Sequence, residues 1–152
     1  MNLTYHIITE DEAREVCSWK YPGEYACYNM PSYEELKAKN SMFGNPLRVK
    51  NFRCYYDRDV LVGITNLVDE EHEVFLGISV HPNLCGKGYG TVMVNTAYNI
   101  SRELYPNKPL YLTVRTWNQR AIRCYEKAGF TIDGDAFELK ARNGLFYRMI
   151  RN

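Results

Sequence analysis

Two stretches of the chain hold residue types whose spacing suits chemistry: Cys85-Gly86-Lys87-Gly88-Tyr89-Gly90 and, further on, WNQRAIRCYEKAGF with its Asn118 and Tyr125. Glycines at 86, 88 and 90 leave the main chain bare just before an apolar, helix-like run, TVMVNTAYNISREL. A strand, a glycine-rich turn and a helix amino terminus make an anion-binding construction, because unpaired amides point outward and the helix dipole adds partial positive charge. A pyrophosphate suits such a cradle. The same glycines would also serve a tight turn that binds nothing. Two nucleotide signatures are excluded. A P-loop needs Lys then Ser or Thr after its last glycine, whereas Thr91 and Val92 follow Gly90, and a dinucleotide fingerprint would place its third glycine at 91 in a parallel unit. On a helix, Asn118 and Tyr125 share a face at a separation of roughly 10 Å. With 13 tyrosines in the chain, ordinary packing is the other reading of Tyr125.

The elements that must position these residues follow from the pattern. LTYHII is a first strand, and Thr9 and Glu12 have the capping-box spacing that opens a short helix toward Val16; Ser32 and Glu35 open a second. RVKNFRCYYD and VLVGITNLV read as an antiparallel hairpin turning near Asp57 to Asp59, and EVFLGISV as a fourth strand entering the glycine segment. The helix after the glycines is followed by a strand, LYLTV, a helix from Asn118 to the stop at Gly129, a sixth strand over FTIDGDAFEL and a seventh over LFYRMI. That order predicts an α+β fold over residues 1–152 as one domain, with a mixed, mostly antiparallel sheet of about seven strands flanked by about four helices.

Composition narrows the function. At 152 residues, 45% apolar and 24% charged, the chain has the make-up of a soluble domain, and no apolar run is long enough for a membrane span. A net charge of +1 without a basic, aromatic-laced stripe argues against nucleic acid. Five cysteines with no C-x-x-C pair argue against a disulfide framework or a structural zinc site, so reduced thiols, no metal and a cytoplasmic location are expected.

Taken together, the two stretches resemble the GCN5-related N-acetyltransferase (GNAT) family. Its Gln/Arg-x-x-Gly-x-Gly/Ala segment corresponds to Cys85–Gly90, preceded by SVHPN, and its Asn-x-x-Ala-x-x-x-Tyr-x-x-x-Gly-Phe pattern is met by Asn118, Ala121, Tyr125, Gly129 and Phe130. The strand and helix order agrees over about residues 3 to 150. The resemblance implies an N-acetyltransferase that moves an acetyl group from acetyl-CoA directly to a primary amine on a small molecule or peptide. It also admits a homodimer. The alternative on the same fold is a non-catalytic acyl-CoA sensor or interaction module.

The resemblance also implies roles. Main-chain amides of Cys85, Gly86, Lys87, Gly88, Tyr89, Gly90 and Thr91 would cradle the pyrophosphate, and the edge of Ile78, Ser79 and Val80 would pair with the pantetheine arm. A main-chain amide there, that of Val80, would face the thioester oxygen. Asn118 and Ala121 would hold the cofactor arm, and Tyr125 would act as general acid toward the sulfur. Arg120, Arg123 and Lys127 would either meet the adenosine-end phosphates or form a solvated basic face. Cys85 departs from the family's glutamine or arginine, which leaves amide binding intact and raises the alternative of a covalent thiol nucleophile. Glu73, with Glu71 and His72 as neighbours, is the expected base for the amine, solvated surface charge being the other reading. Trp19, Tyr21, Tyr25, Tyr28 and Tyr33 with Glu24, Glu34 and Glu35 would form an acceptor pocket for a cationic amine, or simply cover the sheet edge.

Overall fold

Strands form where β-branched and aromatic residues cluster. In the computed structural model, which describes residues 1–152, β1 (Thr4–Ile7), β2 (Phe52–Asp57), β3 (Val60–Asp69) and β4 (Val74–Val80) follow one another as antiparallel neighbours. β5 (Leu110–Arg115) lies parallel to β4, and β8 (Gly144–Arg151) lies antiparallel to β5. Two short strands, β6 (Thr131–Ile132) and β7 (Phe137–Leu139), both pair with β8. The result is one mixed, mostly antiparallel sheet in the order β1-β2-β3-β4-β5-β8-β6, with helices α1 (Glu10–Cys17), α2 (Tyr33–Ala38), α3 (Tyr89–Leu104) and α4 (Gln119–Lys127). This is the expected α+β architecture.

Two boundaries differ from the sequence pattern. FTIDGDAFEL is not one strand: the chain turns at Gly134, whose φ of +82° suits glycine, and so splits into β6 and β7. The sheet therefore has eight strands. The first arm of the hairpin begins at Phe52, because Val49–Asn51 forms a 3-10 turn.

β4 and β5 are registered only at Val74↔Leu110 and Phe75↔Tyr111, beyond which they part. Glu70 N–H donates to the Glu73 carbonyl and His81 N–H to the Val62 carbonyl, so the odd-numbered residues of β4 are those bonded to β3. Alternation then turns the amides of Ile78 and Val80 toward the gap.

Side chains pack both sides of the sheet. Val94, Ala97 and Ile100 of α3 and Ile122 of α4 bury against Leu110, Leu112 and Val114 of β5. Each of these side chains larger than alanine contributes on the order of 1.5–3 kcal/mol. Because side chains alternate along a strand, Thr113 and Arg115 face the other side. There, a second cluster joins Ala13 and Val16 of α1, Leu36 of α2, Phe43 and Phe52.

The α1 cap is tied into this second layer. The Glu12 carboxylate accepts from the Thr9 N–H at 2.9 Å and from the Tyr56 hydroxyl, and meets His6 Nε2 at 2.8 Å. His6, Glu12 and Cys54 thus place a nitrogen, a carboxylate and a thiol within 4.8 Å of one another. Burial pushes the Cys54 thiol up to about 12, aided by the Glu12 charge, so it is held as a thiol. Burial also pushes Glu12 up, but the hydrogen bonds from Tyr56, Thr9 and His6 outweigh it and lower its pKa to about 2. A depressed carboxylate stabilises the fold above its unfolded pKa, and that stability is lost as pH falls through the folded one. Glu12→Gln is expected to lower the melting temperature at neutral pH. The gap from the parent should close between the ordinary value of 4.5 and about 2. Thermal unfolding by circular dichroism across that range checks it; a gap that ignores pH contradicts the linkage.

Candidate active site

The glycine segment joins β4 to α3. Gly86 and Gly88 have φ of +78° and +92°, a conformation that a side chain would strain, and Gly88 caps α3. Gly90 has a different role: an added Cβ would lie 3.1 Å from Cys124 Sγ and 3.7 Å from Val80 Cγ2, so glycine lets α3 close on α4 and β4. None of the main-chain N–H groups from Cys85 to Thr91 donates to a protein acceptor. A Cβ on Gly86 would meet nothing within 4 Å, so the run is open to a ligand. An unpaired run of donors at a helix amino terminus is an anion cradle built from the backbone.

The cradle opens into a cavity of about 690 Å³ lying in the gap between β4 and β5. Tyr125 of α4 lines it, its ring meeting Phe130 edge-on at 6.4 Å. Burial raises the Tyr125 pKa, with lesser contributions from Cys124 and Tyr28, so the phenol stays protonated well into the alkaline range. No hydrogen bond from the protein satisfies it. From the far wall, the Tyr21 hydroxyl donates to the Val80 carbonyl at 2.7 Å, which leaves the Val80 N–H as the free group of that residue.

Most of the expected residues meet here. Ile78, Ser79 and Val80 line one wall, Cys85, Gly86, Gly88, Gly90 and Thr91 one end, and Asn118, Ala121 and Tyr125 the opposite wall. Arg120, Arg123 and Lys127 also border the cavity, with Arg120 stacked over the Tyr25 ring at 4.2 Å. Lys87 and Tyr89 do not line it; the Tyr89 hydroxyl instead donates to Asp57 at 2.6 Å, and these residues offer only their amides. Asn118 does more for the protein than for a ligand. Its Oδ1 caps α4 through the Ala121 N–H at 3.1 Å, and its Nδ2 donates to the Tyr28 hydroxyl at 2.9 Å.

Three further readings concern groups that lie away from the cavity or are turned from it. Glu73 lies outside the cavity, and both its oxygens accept from the Arg148 guanidinium at 2.7 and 3.1 Å; Glu71 and His72 are exposed beside it. The Cys85 thiol is half-buried against the carbonyls of Val80 and His81, and burial pushes its pKa up, the reverse of an activated nucleophile. The carboxylates of the 19–35 segment stay outside as well. Glu34 pairs with Arg14, Glu35 sits in the α2 cap and Glu24 is exposed, while Trp19 packs on His81 and Tyr33 under Arg14. Tyr21 and Tyr28 do line the cavity.

The sequence reading missed Arg115 and Arg142, which also line it. Strand alternation in LYLTVR would have turned Arg115 away from the α3–α4 side, but nothing in the sequence places Arg142 next to it.

This arrangement is that of an acyl-CoA-dependent transferase, and sequence comparison agrees. Residues 13–130 match the Acetyltransferase (GNAT) family, and the chain belongs to it. Among curated proteins, no sequence matches the chain. Solved structures do. Spermidine N-acetyltransferase from Vibrio cholerae, in complex with CoA and spermine, is 20% identical with a TM-score of 0.77, over 98% of this chain and 94% of its own. A GNAT-family acetyltransferase from Bacillus anthracis is 15% identical with a TM-score of 0.79, over 99% and 95%. The aminoglycoside acetyltransferase AAC(6')-Ib, in complex with coenzyme A, is 17% identical with a TM-score of 0.76, over 99% and 94%. At these identities the likeness is one of fold. No helix of the chain is long and apolar enough to cross a membrane.

Because one Asn118 side chain both caps α4 and fixes Tyr28, Asn118→Ala is expected to cost about 1–2 kcal/mol of stability. Urea denaturation measures it, and an unchanged midpoint would show the cap to be dispensable.

Proposed function

We propose that the protein transfers an acetyl group from acetyl-CoA directly to a primary amine. The observation that carries this reading is the unpaired run of amides from Cys85 to Thr91, opening into the cavity that also holds a protonated, unpartnered Tyr125. Acetyl-CoA supplies an activated thioester: attack by a neutral amine forms the C–N bond, breaks the C–S bond and releases a thiolate.

The chain's residues divide that work. The amides of Cys85 to Thr91 hold the diphosphate, with Arg123 and Lys127 of α4 as basic neighbours. The free edges of Ile78 and Val80 hold the pantetheine arm as an added strand would, and the Val80 N–H faces the carbonyl oxygen on which charge develops. Tyr125 gives its proton to the departing sulfur and regains one from solvent; the amine's excess proton leaves to water. No carboxylate lines the cavity to take that proton. Its cationic wall favours the neutral form of an entering amine instead, since like charges disfavour the ammonium.

Thiol release from acetyl-CoA, measured over a panel of primary amines, tests the proposal. Release that requires both components supports it, and binding of acetyl-CoA without turnover would make the protein a sensor. Tyr125→Phe is expected to lower turnover about 10²–10⁴-fold with little change in affinity for CoA; full activity would mean that water protonates the thiolate. Gly88→Leu, at a φ of +92°, should abolish calorimetric binding of CoA. Retained binding would remove the cradle from the phosphate.

A further inference from the structure

The cavity wall has one sign of charge. Among its lining residues there is no aspartate or glutamate, whereas five are cationic: Arg115, Arg120, Arg123, Lys127 and Arg142. Three of these belong to α4, beside the cradle. The other two stand apart from it, at the end of β5 and in the turn before β8, on the sheet face opposite α3 and α4.

Arg115 and Arg142 form one unit. Both guanidinium carbons lie over the Phe146 ring, at 4.7 and 5.1 Å. Arg115 is only 9% exposed; it donates to the main-chain carbonyls of Arg142 at 2.8 Å and of Asn143 at 3.5 Å. Its Nε is buried with no partner, and neither arginine is ion-paired with a carboxylate. A guanidinium withdrawn from water with no counter-charge is costly to the fold. Carbonyl dipoles and a ring face offset that cost only in part, so an anion brought by a ligand would be strongly favoured.

The pair lines the same cavity as Tyr28 and Tyr125. Burial raises the Tyr28 pKa, and the charges of Arg115 and Arg142 oppose that rise, while Tyr28 in turn acts on Tyr125. This part of the cavity also carries Tyr21, Met30, Met42, Phe52 and Phe146, beside the polar Asn66 and Thr113.

Resting on the transfer reaction proposed above, we infer that the acceptor is a primary amine that also bears a carboxylate, an amino acid with an apolar or aromatic side chain, and that Arg115 and Arg142 bind its carboxylate. A polyamine or aminoglycoside, carrying several positive charges, is repelled by the same wall. The amine nitrogen gains the acetyl group and the carboxylate passes through unchanged.

The test compares matched amines in the thiol-release assay: phenylalanine against phenethylamine and phenylalaninamide, alanine against ethylamine, and spermidine. Each carboxylate-bearing amine should have kcat/KM at least about tenfold above its partner lacking the carboxylate, and spermidine should be poor. Arg142→Gln should raise KM for phenylalanine and shrink that ratio, with KM for acetyl-CoA unchanged. Because Arg115 also braces the β8 turn, its replacement is not the informative variant. Equal or better use of phenethylamine or spermidine, or an unaltered ratio in Arg142→Gln, overturns the inference and leaves the transfer reaction standing. If no amine accepts the acetyl group, the transfer reaction falls, and calorimetry with N-acetylphenylalanine on CoA-loaded protein decides the arginine site by itself. Binding weakened by Arg142→Gln upholds it, and no binding removes it.

Discussion

Everything functional in this molecule depends on two parallel strands that stay together for two residue pairs and then separate. Had β4 and β5 paired along their full length, the amides of Ile78 and Val80 would be consumed in the sheet and no cavity would open between them. The separation leaves main-chain groups unpaired in the interior, which a fold tolerates only where a partner can reach them. Tyr21 supplies one such partner, at the Val80 carbonyl. The rest of the edge and the amides of the glycine segment are available to a ligand. Structure and binding here draw on the same unsatisfied groups.

The separation is held open from both sides of the sheet. On one, α3 and α4 fill the space beneath β4 and β5 with Val94, Ala97, Ile100 and Ile122. Gly90 allows them to approach, since any larger residue would press on Cys124. On the other, the 3-10 turn Gly23–Tyr28 brings Tyr25 and Tyr28 against Trp117, with ring centroids 5.5 and 6.3 Å away. Asn118 fastens this cover to the start of α4 through Tyr28. The residue that begins the helix therefore also closes the cavity, and the two cannot be varied independently.

Local signals in the sequence explain why the glycine segment and the α4 face were legible. The glycines, the cap at Asn118 and the position of Tyr125 lie within short stretches whose backbone geometry is set by near neighbours. The opposite part of the cavity is built differently. Arg115 meets Arg142 and Phe146 only because β5 pairs with β8, and Glu73 is withdrawn by Arg148 through a contact still more distant in the chain. Carboxylates close in sequence to the aromatic segment looked like pocket groups. They are instead the residue whose N–H the Ser32 cap of α2 accepts, the ion-pair partner of Arg14 and a solvated side chain. The split of FTIDGDAFEL into two strands has the same origin in a single turn, at Gly134.

A shared fold does not carry a shared substrate. The solved structures that resemble the chain include enzymes named for polyamine and aminoglycoside substrates, at identities near 20% or below. The cradle is made of backbone, so it survives such divergence, as it survives a cysteine at position 85. The acceptor wall is made of side chains and does not. In this chain two guanidinium groups stand in that wall, and carbonyls of the β8 turn and one phenyl face offset only part of the cost of burying Arg115. Under the proposed transfer, the amine would lose its proton in a field of positive sign. A wall of that sign can both repel dications and favour the uncharged nucleophile, which is how a cavity without a carboxylate can still serve amine acylation.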